Sequence, residues 1–345
     1  TYTITVMDAN LCNVTTLPVT LVDPVINVAI ALTSDFNGSP VSCSGASDGQ
    51  ITATASGGTG ILSYVLDQDL TNLTGAASGV FTGLAAGIYS VTVTDANLCS
   101  KTTSTLTLSS PTAVTASAAV MSNYNSSQVS CNSLSDGILA VTASGGTGAL
   151  SYLLVEIPLN ITGSVSGTFT GLPAGTYTVT VSDANACNIT TAPVTITEPA
   201  IVAASALVTS SYNGKDISCF GALDGELTVT ASGGTGTLAY LLNELPGNNT
   251  GSVSGIFSGL PADTYTVQVT DQNGCFVNTL AVALAEPTVV TATAAITSTY
   301  GGSDVSCEGA SDGEITLTAS GGTNPLSYFL VELPANVTGA ASGIF

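Results

Sequence analysis

The sequence predicts an all-β protein: tandem Ig-like antiparallel β-sandwich domains in an extended rod. Three observations carry this expectation. The block VSCSGASDGQITATASGGTG at Val41 returns at Val129, Ile217 and Val305, each time 88 residues further on. Within the unit, apolar residues alternate with Thr, Ser and other polar residues, the period of a strand with one buried face. No segment holds a helical period with start and stop signals. A unit of 88 residues exceeds the roughly 20–50 residues of a solenoid repeat and suits a small autonomous domain.

The strands follow in order. PTAVTASAAV, beginning at Pro111, reads as a first strand, and ITATAS from Ile51 as the second. The intervening SGGTG is the turn into LSYVLD, the third, since a phosphate-binding loop would need GK[ST] opening a helix. GVFTGL and IYSVTVTD follow, then TSTLTLS, so that six or seven short strands fill about 90 residues, the pattern of an Ig-like sandwich. In AGIYSVTVTDANLC, Tyr89 opens strand F, the sixth in Ig lettering, after a Gly-containing corner, like the tyrosine corner of such sandwiches, and DAN forms the next hairpin turn.

Prolines 24, 111, 199 and 287 mark the joins. The expected segments are 1–24, the strand F and G part of a split repeat; three whole repeats at 25–111, 112–199 and 200–287; and 288–345, the strand A to E part of another. Tyr2 aligns with Tyr89 and Phe345 with Phe81. The reading adopted is a window on a longer array whose signal sequence and anchor lie outside it. The alternative is head-to-tail joining, each subunit completing its neighbour's split domain by strand addition.

Composition narrows the partners. Only 7% of residues are charged, against about a quarter in ordinary proteins, and Lys101 and Lys215 are the sole basic residues. A net charge of −21 with so few cations excludes nucleic acid and anionic membrane surfaces as partners. No apolar run approaches the ~20 residues of a membrane helix, so direct membrane insertion is not expected. A hydrophobic fraction of 44% excludes simple disorder.

Eight cysteines, two per unit and in register, read as a disulfide framework formed in an oxidising compartment. No His and no CxxC accompany them, which excludes zinc and an activated thiol. Pairing within a unit joins Cys43–Cys99, Cys131–Cys187 and Cys219–Cys275, each 56 residues apart, worth about 4 kcal/mol apiece on the chain-entropy model. Against it, these two cysteines lie at opposite poles of a standard sandwich, beyond the ~7 Å that a bridge spans. A bridge between successive units, such as Cys43–Cys187, meets the distance. The within-unit pairing is preferred and the other kept open.

Asn72, Asn160, Asn248 and Asn336 keep the period in NLT, NIT, NNT and NVT, matching the N-glycosylation pattern, with further matches at Asn13, Asn37, Asn125 and Asn188. The competing reading is an Asn-Thr-Gly turn. Asp48, Asp95, Asp136 and Asp183 are candidate Ca²⁺ ligands between domains, with Asp turns as the competing reading. No other cofactor is expected. Without His, a nucleophile–base pair or a metal cluster, the chain does not read as an enzyme.

The motif C-x-G-x-x-D-G-x-(I/L)-x-(V/L/A)-T-A-S-G-G-T-G occurs at Cys43 and Cys219, at Cys307 with Asn324 in place of the last Gly, and in the second unit with Ser133 in place of the first. Together with GL-(A/P)-A-G-x-Y-x-V-T-V-(T/S)-D-A-N-x-C and a closing T-x-T-E-P, it resembles the SprB-type repeats of giant cell-surface adhesins of gliding Bacteroidetes. The resemblance implies an exported, extracellular surface protein: a non-catalytic repeat region of a filament or stalk adhesin that extends and bears force in adhesion or gliding. Its partners would be copies of itself or neighbouring repeats. The alternative is an array of polysaccharide-binding modules on the surface, although no Trp is present to stack on sugars.

Overall fold

The structure, a computed structural model, describes all 345 residues, Thr1–Phe345, and contains strands and turns without helix. The first segment forms a hairpin of β1 (Thr5–Met7) and β2 (Asn13–Thr15). The first whole repeat holds β3 (Ile26–Leu32), β4 (Ser47–Gly57), β5 (Ser63–Leu66), β6 (Val80–Ala85), β7 (Gly87–Tyr89), β8 (Val91–Thr94), β9 (Ser100–Thr102) and β10 (Leu106–Leu108). One sheet is ordered β3-β4-β6 and the other β5-β8-β9, with β7 pairing β10. All these pairs are antiparallel. In Ig letters these are A-B-E and C-F-G.

The next repeat follows the same order with β11 (Thr115–Val120), β12 (Gly137–Ser144), β13 (Ser151–Leu154), β14 (Thr168–Leu172), β15 (Gly175–Tyr177), β16 (Val179–Ser182), β17 (Asn188–Thr190) and β18 (Val194–Ile196). The third repeats it with β19 (Ala203–Val208), β20 (Gly225–Ser232), β21 (Ala239–Leu242), β22 (Ile256–Leu260), β23 (Thr264–Tyr265), β24 (Val267–Thr270), β25 (Phe276–Asn278) and β26 (Val282–Ala283). The last segment contributes β27 (Thr291–Ile296) and β28 (Ile315–Ser320). The fold class is therefore the predicted one, tandem Ig-like antiparallel sandwiches. No helix is long and apolar enough to cross a membrane.

The alternation explains the core. In β4, Gly49, Ile51 and Ala53 are buried while their neighbours face outward; Ile51 packs with Leu66, Phe81, Val91, Val93 and Leu108. The third repeat builds the same core from Leu227, Leu242, Phe257, Val267, Val269 and Leu284. Burying each such side chain is worth about 1.5–3 kcal/mol. The tyrosine corner forms: the Tyr89 hydroxyl donates to the Ala85 carbonyl at 2.9 Å and Tyr265 to Pro261 at 3.0 Å.

Strands F and G are each broken in two, which alternation does not foretell. Val91 N–H donates to the Thr103 hydroxyl, not to a backbone carbonyl, and Ser90 N–H donates to the Gln68 side chain. In the later repeats Glu156 caps Thr178, and Glu244 caps Thr266, in the same way. A ladder interrupted by side chains splits into β7 with β10 and β8 with β9.

The chain divides into two compact units: Thr1–Val120 with Ile138–Thr170 and Thr176–Thr195, and Met121–Gly137 with Gly171–Gly175 and Ile196–Phe345. Residues 112–199 contribute to both, and the cysteines supply the reason. Cys43 is bonded to Cys187, inside the first unit, and Cys131 to Cys275, inside the second. The expected within-repeat bridges Cys43–Cys99, Cys131–Cys187 and Cys219–Cys275 are not formed. Cys43 precedes the start of β4, whereas the turn carrying Cys99 lies against its far end, where Thr59 N–H meets Asp95. Eleven residues of strand separate those poles by about 30 Å, far beyond a disulfide's reach.

Candidate functional site

The chain's most developed polar constellation is the joint where the F–G turn of one repeat meets the A–B loop of the repeat before it. It occurs twice. In the first joint, Cys43 and Cys187 stand 5.7 Å apart at Cα. Beside the bridge, the Asn185 amide donates to the Phe36 carbonyl at 3.1 Å and the Ser42 carbonyl at 3.0 Å, while its own oxygen accepts from Asn37 at 2.6 Å. In the second, Cys131 and Cys275 stand 5.6 Å apart. Asn273 donates to Tyr124 and Ser130 and accepts from Asn125.

Each half of the joint is shaped by an aspartate. The Asp183 carboxylate accepts from Asn185 N–H and Cys187 N–H at 2.9 Å each and from Thr147 N–H at 2.7 Å, which pins the F–G turn to the B–C turn. Asp271 does the same with Asn273, Cys275 and Thr235, and Asp95 with Asn97, Cys99 and Thr59. All three carboxylates are buried. On the opposing loop, Asp48 accepts from Ser42 N–H and Asp136 from Ser130 N–H. Burial alone would raise the Asp95 carboxyl above its ordinary range, but the amide donors of Thr59, Cys99 and Asn97 outweigh it, and the net shift is downward. Asp48 is likewise lowered, burial being opposed by the Ser42 hydrogen bonds.

This places the four candidate Ca²⁺ ligands. Asp48 and Asp136 hold A–B loops, and Asp95 and Asp183 hold F–G turns. No three His, Cys, Asp or Glu side chains converge anywhere to form a metal-binding group. Glycines complete the B–C turns: Gly57, Gly145 and Gly233 have positive φ, and a Cβ on Gly57 would run into the Val25 carbonyl.

The sequons also have structural tasks. Asn72, Asn160 and Asn248 each accept from the N–H and hydroxyl of the Thr two residues on, and their amides donate to the carbonyls of Thr82, Thr170 and Ser258. Asn336 makes the same Thr338 turn. Asn37 and Asn125, two of the further sequons, spend their amides across the joints. Sequence reasoning passed over Asn185 and Asn273 as turn residues. The available signal was an Asn kept in register within DAN and DQN, where the turn itself needs only the Asp.

Fold and joint together define a class: a tandem Ig-like β-sandwich array whose successive repeats are cross-linked by staggered disulfides. The SprB repeat matches this chain at four segments, residues 36–71, 123–155, 211–246 and 302–330. Each match starts at an A–B loop, and the loops of the first two matches form one side of the two joints. Comparison with curated proteins gives no match. Among solved structures, the N-terminal eight Ig domains of Down syndrome cell adhesion molecule are similar at 9% identity and a TM-score of 0.28, over 86% of this chain and 52% of that one. Cadherin domains 1–4 of protocadherin gamma B7 are similar at 13% and 0.26, over 69% and 71%. Extracellular domains 3–5 of Drosophila OTK are similar at 14% and 0.26, over 72% and 95%. The chain thus spans about half the length of the first of these.

Proposed function

We infer that this chain is the structural repeat region of an extracellular cell-surface filament or stalk adhesin, non-catalytic, extending and bearing force in adhesion or gliding. The segments 25–111, 112–199 and 200–287 act as its beads. The observation that carries the reading is the staggered pair of bridges: Cys43–Cys187 and Cys131–Cys275 lock adjoining repeats to each other. A cross-link at each joint resists separation of neighbours under tension and requires an oxidising, extracytoplasmic setting. The SprB matches and the sparsely charged, Thr-rich surface support the same setting. The polysaccharide-binding alternative gains nothing from the repeated Phe81, Phe169 and Phe257, which are fully buried and cannot stack on sugars.

The test is immunogold electron microscopy of the source cells with an antibody against residues 25–287. Label on thin fibres projecting from the surface is expected. Label confined to the cell interior overturns the reading.

A further inference from the structure

The two joints repeat one backbone but not one surface. Beside each bridge lies a cleft walled by the A–B loop of the earlier repeat, the Pro-marked linker and the F–G turn of the later repeat. It measures 380 Å³ at Cys131–Cys275 and 460 Å³ at Cys43–Cys187, within the range of small-molecule sites. Ala46, Ser110, Ala113 and Asn188 at the first joint are matched, 88 residues on, by Leu134, Glu198, Ile201 and Phe276 at the second. Leu134, Ile201 and Phe276 are not core residues, being 47%, 68% and 62% exposed. With Pro199, Val202 and Val277 they line the second cleft. Exposed apolar surface gathered in a concavity and rimmed by polar groups marks a binding site.

The polar rim is anionic. Asn132 reaches across from the A–B loop, its amide donating to the Pro199 carbonyl at 3.2 Å. Glu198 accepts from Ser133 N–H at 2.6 Å with one carboxylate oxygen, which leaves the other free. Behind the opposite wall stands Asp271, since a Cβ on the lining Gly234 would sit 2.9 Å from its carboxylate oxygen. Every donor to these two carboxylates is a backbone N–H. The chain's only cations are Lys101, in β9, and Lys215, in the loop before β20.

We propose that the cleft at Cys131–Cys275 binds a small aralkyl ammonium ion, its ring against Phe276, Ile201 and Leu134 and its ammonium group at the free oxygen of Glu198. Phe276 offers an aromatic face, and the aliphatic neighbours shield it from water. The carboxylates and the formal charge of −21 select a cation over a neutral or anionic ring of the same shape, and the aromatic face adds its own attraction for a cation. The cleft at Cys43–Cys187 has Asn188, Ala113 and Ser110 in the corresponding places, so it lacks the ring, the apolar wall and the carboxylate. This adds a ligand to a joint whose filament role does not require one.

The oxidised 345-residue chain is titrated with phenethylammonium and, in parallel, with phenethyl alcohol, its uncharged counterpart, by calorimetry and ligand-observed NMR. A single saturable site per chain, in the millimolar range or tighter, is expected for the amine, with the alcohol weaker by about threefold or more. Phe276→Ala lowers the affinity for the amine about tenfold. Glu198→Gln, which keeps an acceptor for Ser133 N–H, brings the amine down to the level of the alcohol. Asn188→Ala at the first joint changes nothing. The converse variant, Ala46→Leu with Ser110→Glu, Ala113→Ile and Asn188→Phe, raises the stoichiometry from one to two. Mass spectrometry of non-reduced peptides checks that every variant keeps both bridges. Absence of saturable binding, equal affinity for amine and alcohol, or an affinity that survives Phe276→Ala overturns the proposal. So does a converse variant that keeps both bridges and still binds one equivalent. Each of those results would leave the filament reading standing.

Discussion

Extension under force tests the staggered bridges most directly. Between Cys43 and Cys275 the backbone counts 232 residues, about 80 nm at ~3.5 Å per residue fully extended. With Cys43 held to Cys187 and Cys131 to Cys275, the shortest covalent path between the two ends is the 56-residue stretch from Cys131 to Cys187, about 20 nm. The bridges therefore hide about 60 nm. Removing one of them by Cys131→Ser with Cys275→Ser leaves a path from Cys187 to Cys275, 88 residues, and releases only about 11 nm more than the wild type. Single-molecule pulling of the full chain from its ends, oxidised and then reduced, reads these increments. Had the bridges lain within repeats, the same double substitution would free two loops of 56 residues, about 39 nm. That larger increment, or no increment on reduction, refutes the staggered arrangement.

Five further outcomes are expected. Asp271→Ala strips acceptors from three backbone N–H groups at a buried turn and should lower stability by about 3 kcal/mol or more in urea unfolding followed by tyrosine fluorescence. Gly251→Ala would put a Cβ 2.6 Å from the Phe257 ring and should cost about 1–3 kcal/mol by the same assay. Asn248→Ala should destabilise even unglycosylated protein by about 1–3 kcal/mol, since its side chain ties Thr250 to Ser258; no change would leave the sequon without a structural role. Asp95, Glu156 and Glu244 are held below their ordinary range because backbone and hydroxyl donors outweigh the opposing effect of burial. Their contribution is whole above the unfolded carboxylate values and is lost as pH falls below about 4, so thermal midpoints should drop there. Tyr89, Tyr177 and Tyr265 are pushed up by burial and then by neighbouring carboxylates; their contribution persists below the unfolded value, about 10, and is lost on titration above it.

Strands B, C, E and F were legible because each shows one buried face in a row of β-branched and polar residues, and period two leaves little choice of register. The tyrosine corner was legible because it is local, four residues from hydroxyl to acceptor in both Tyr89 and Tyr265. The breaks in F and G were not, since they depend on Gln68, Glu156 and Glu244 reaching a strand 22 residues away in sequence. The aspartates drew notice as candidate metal ligands, yet what they bind is backbone N–H, a choice that composition does not reveal.

The amino-acid order by itself determined the repeat length, the alternation that makes each unit a sandwich, the turn chemistry of Asp and Gly, and the presence of two cysteines per unit. Those properties are set within a strand or a turn, where neighbours along the chain are neighbours in space. Tertiary structure alone decided which cysteine meets which. Equal spacing fits a bridge within a repeat and a bridge to the next one alike, and only the length of β4, which carries the two cysteines of one sandwich to opposite poles, sends each to the adjoining repeat.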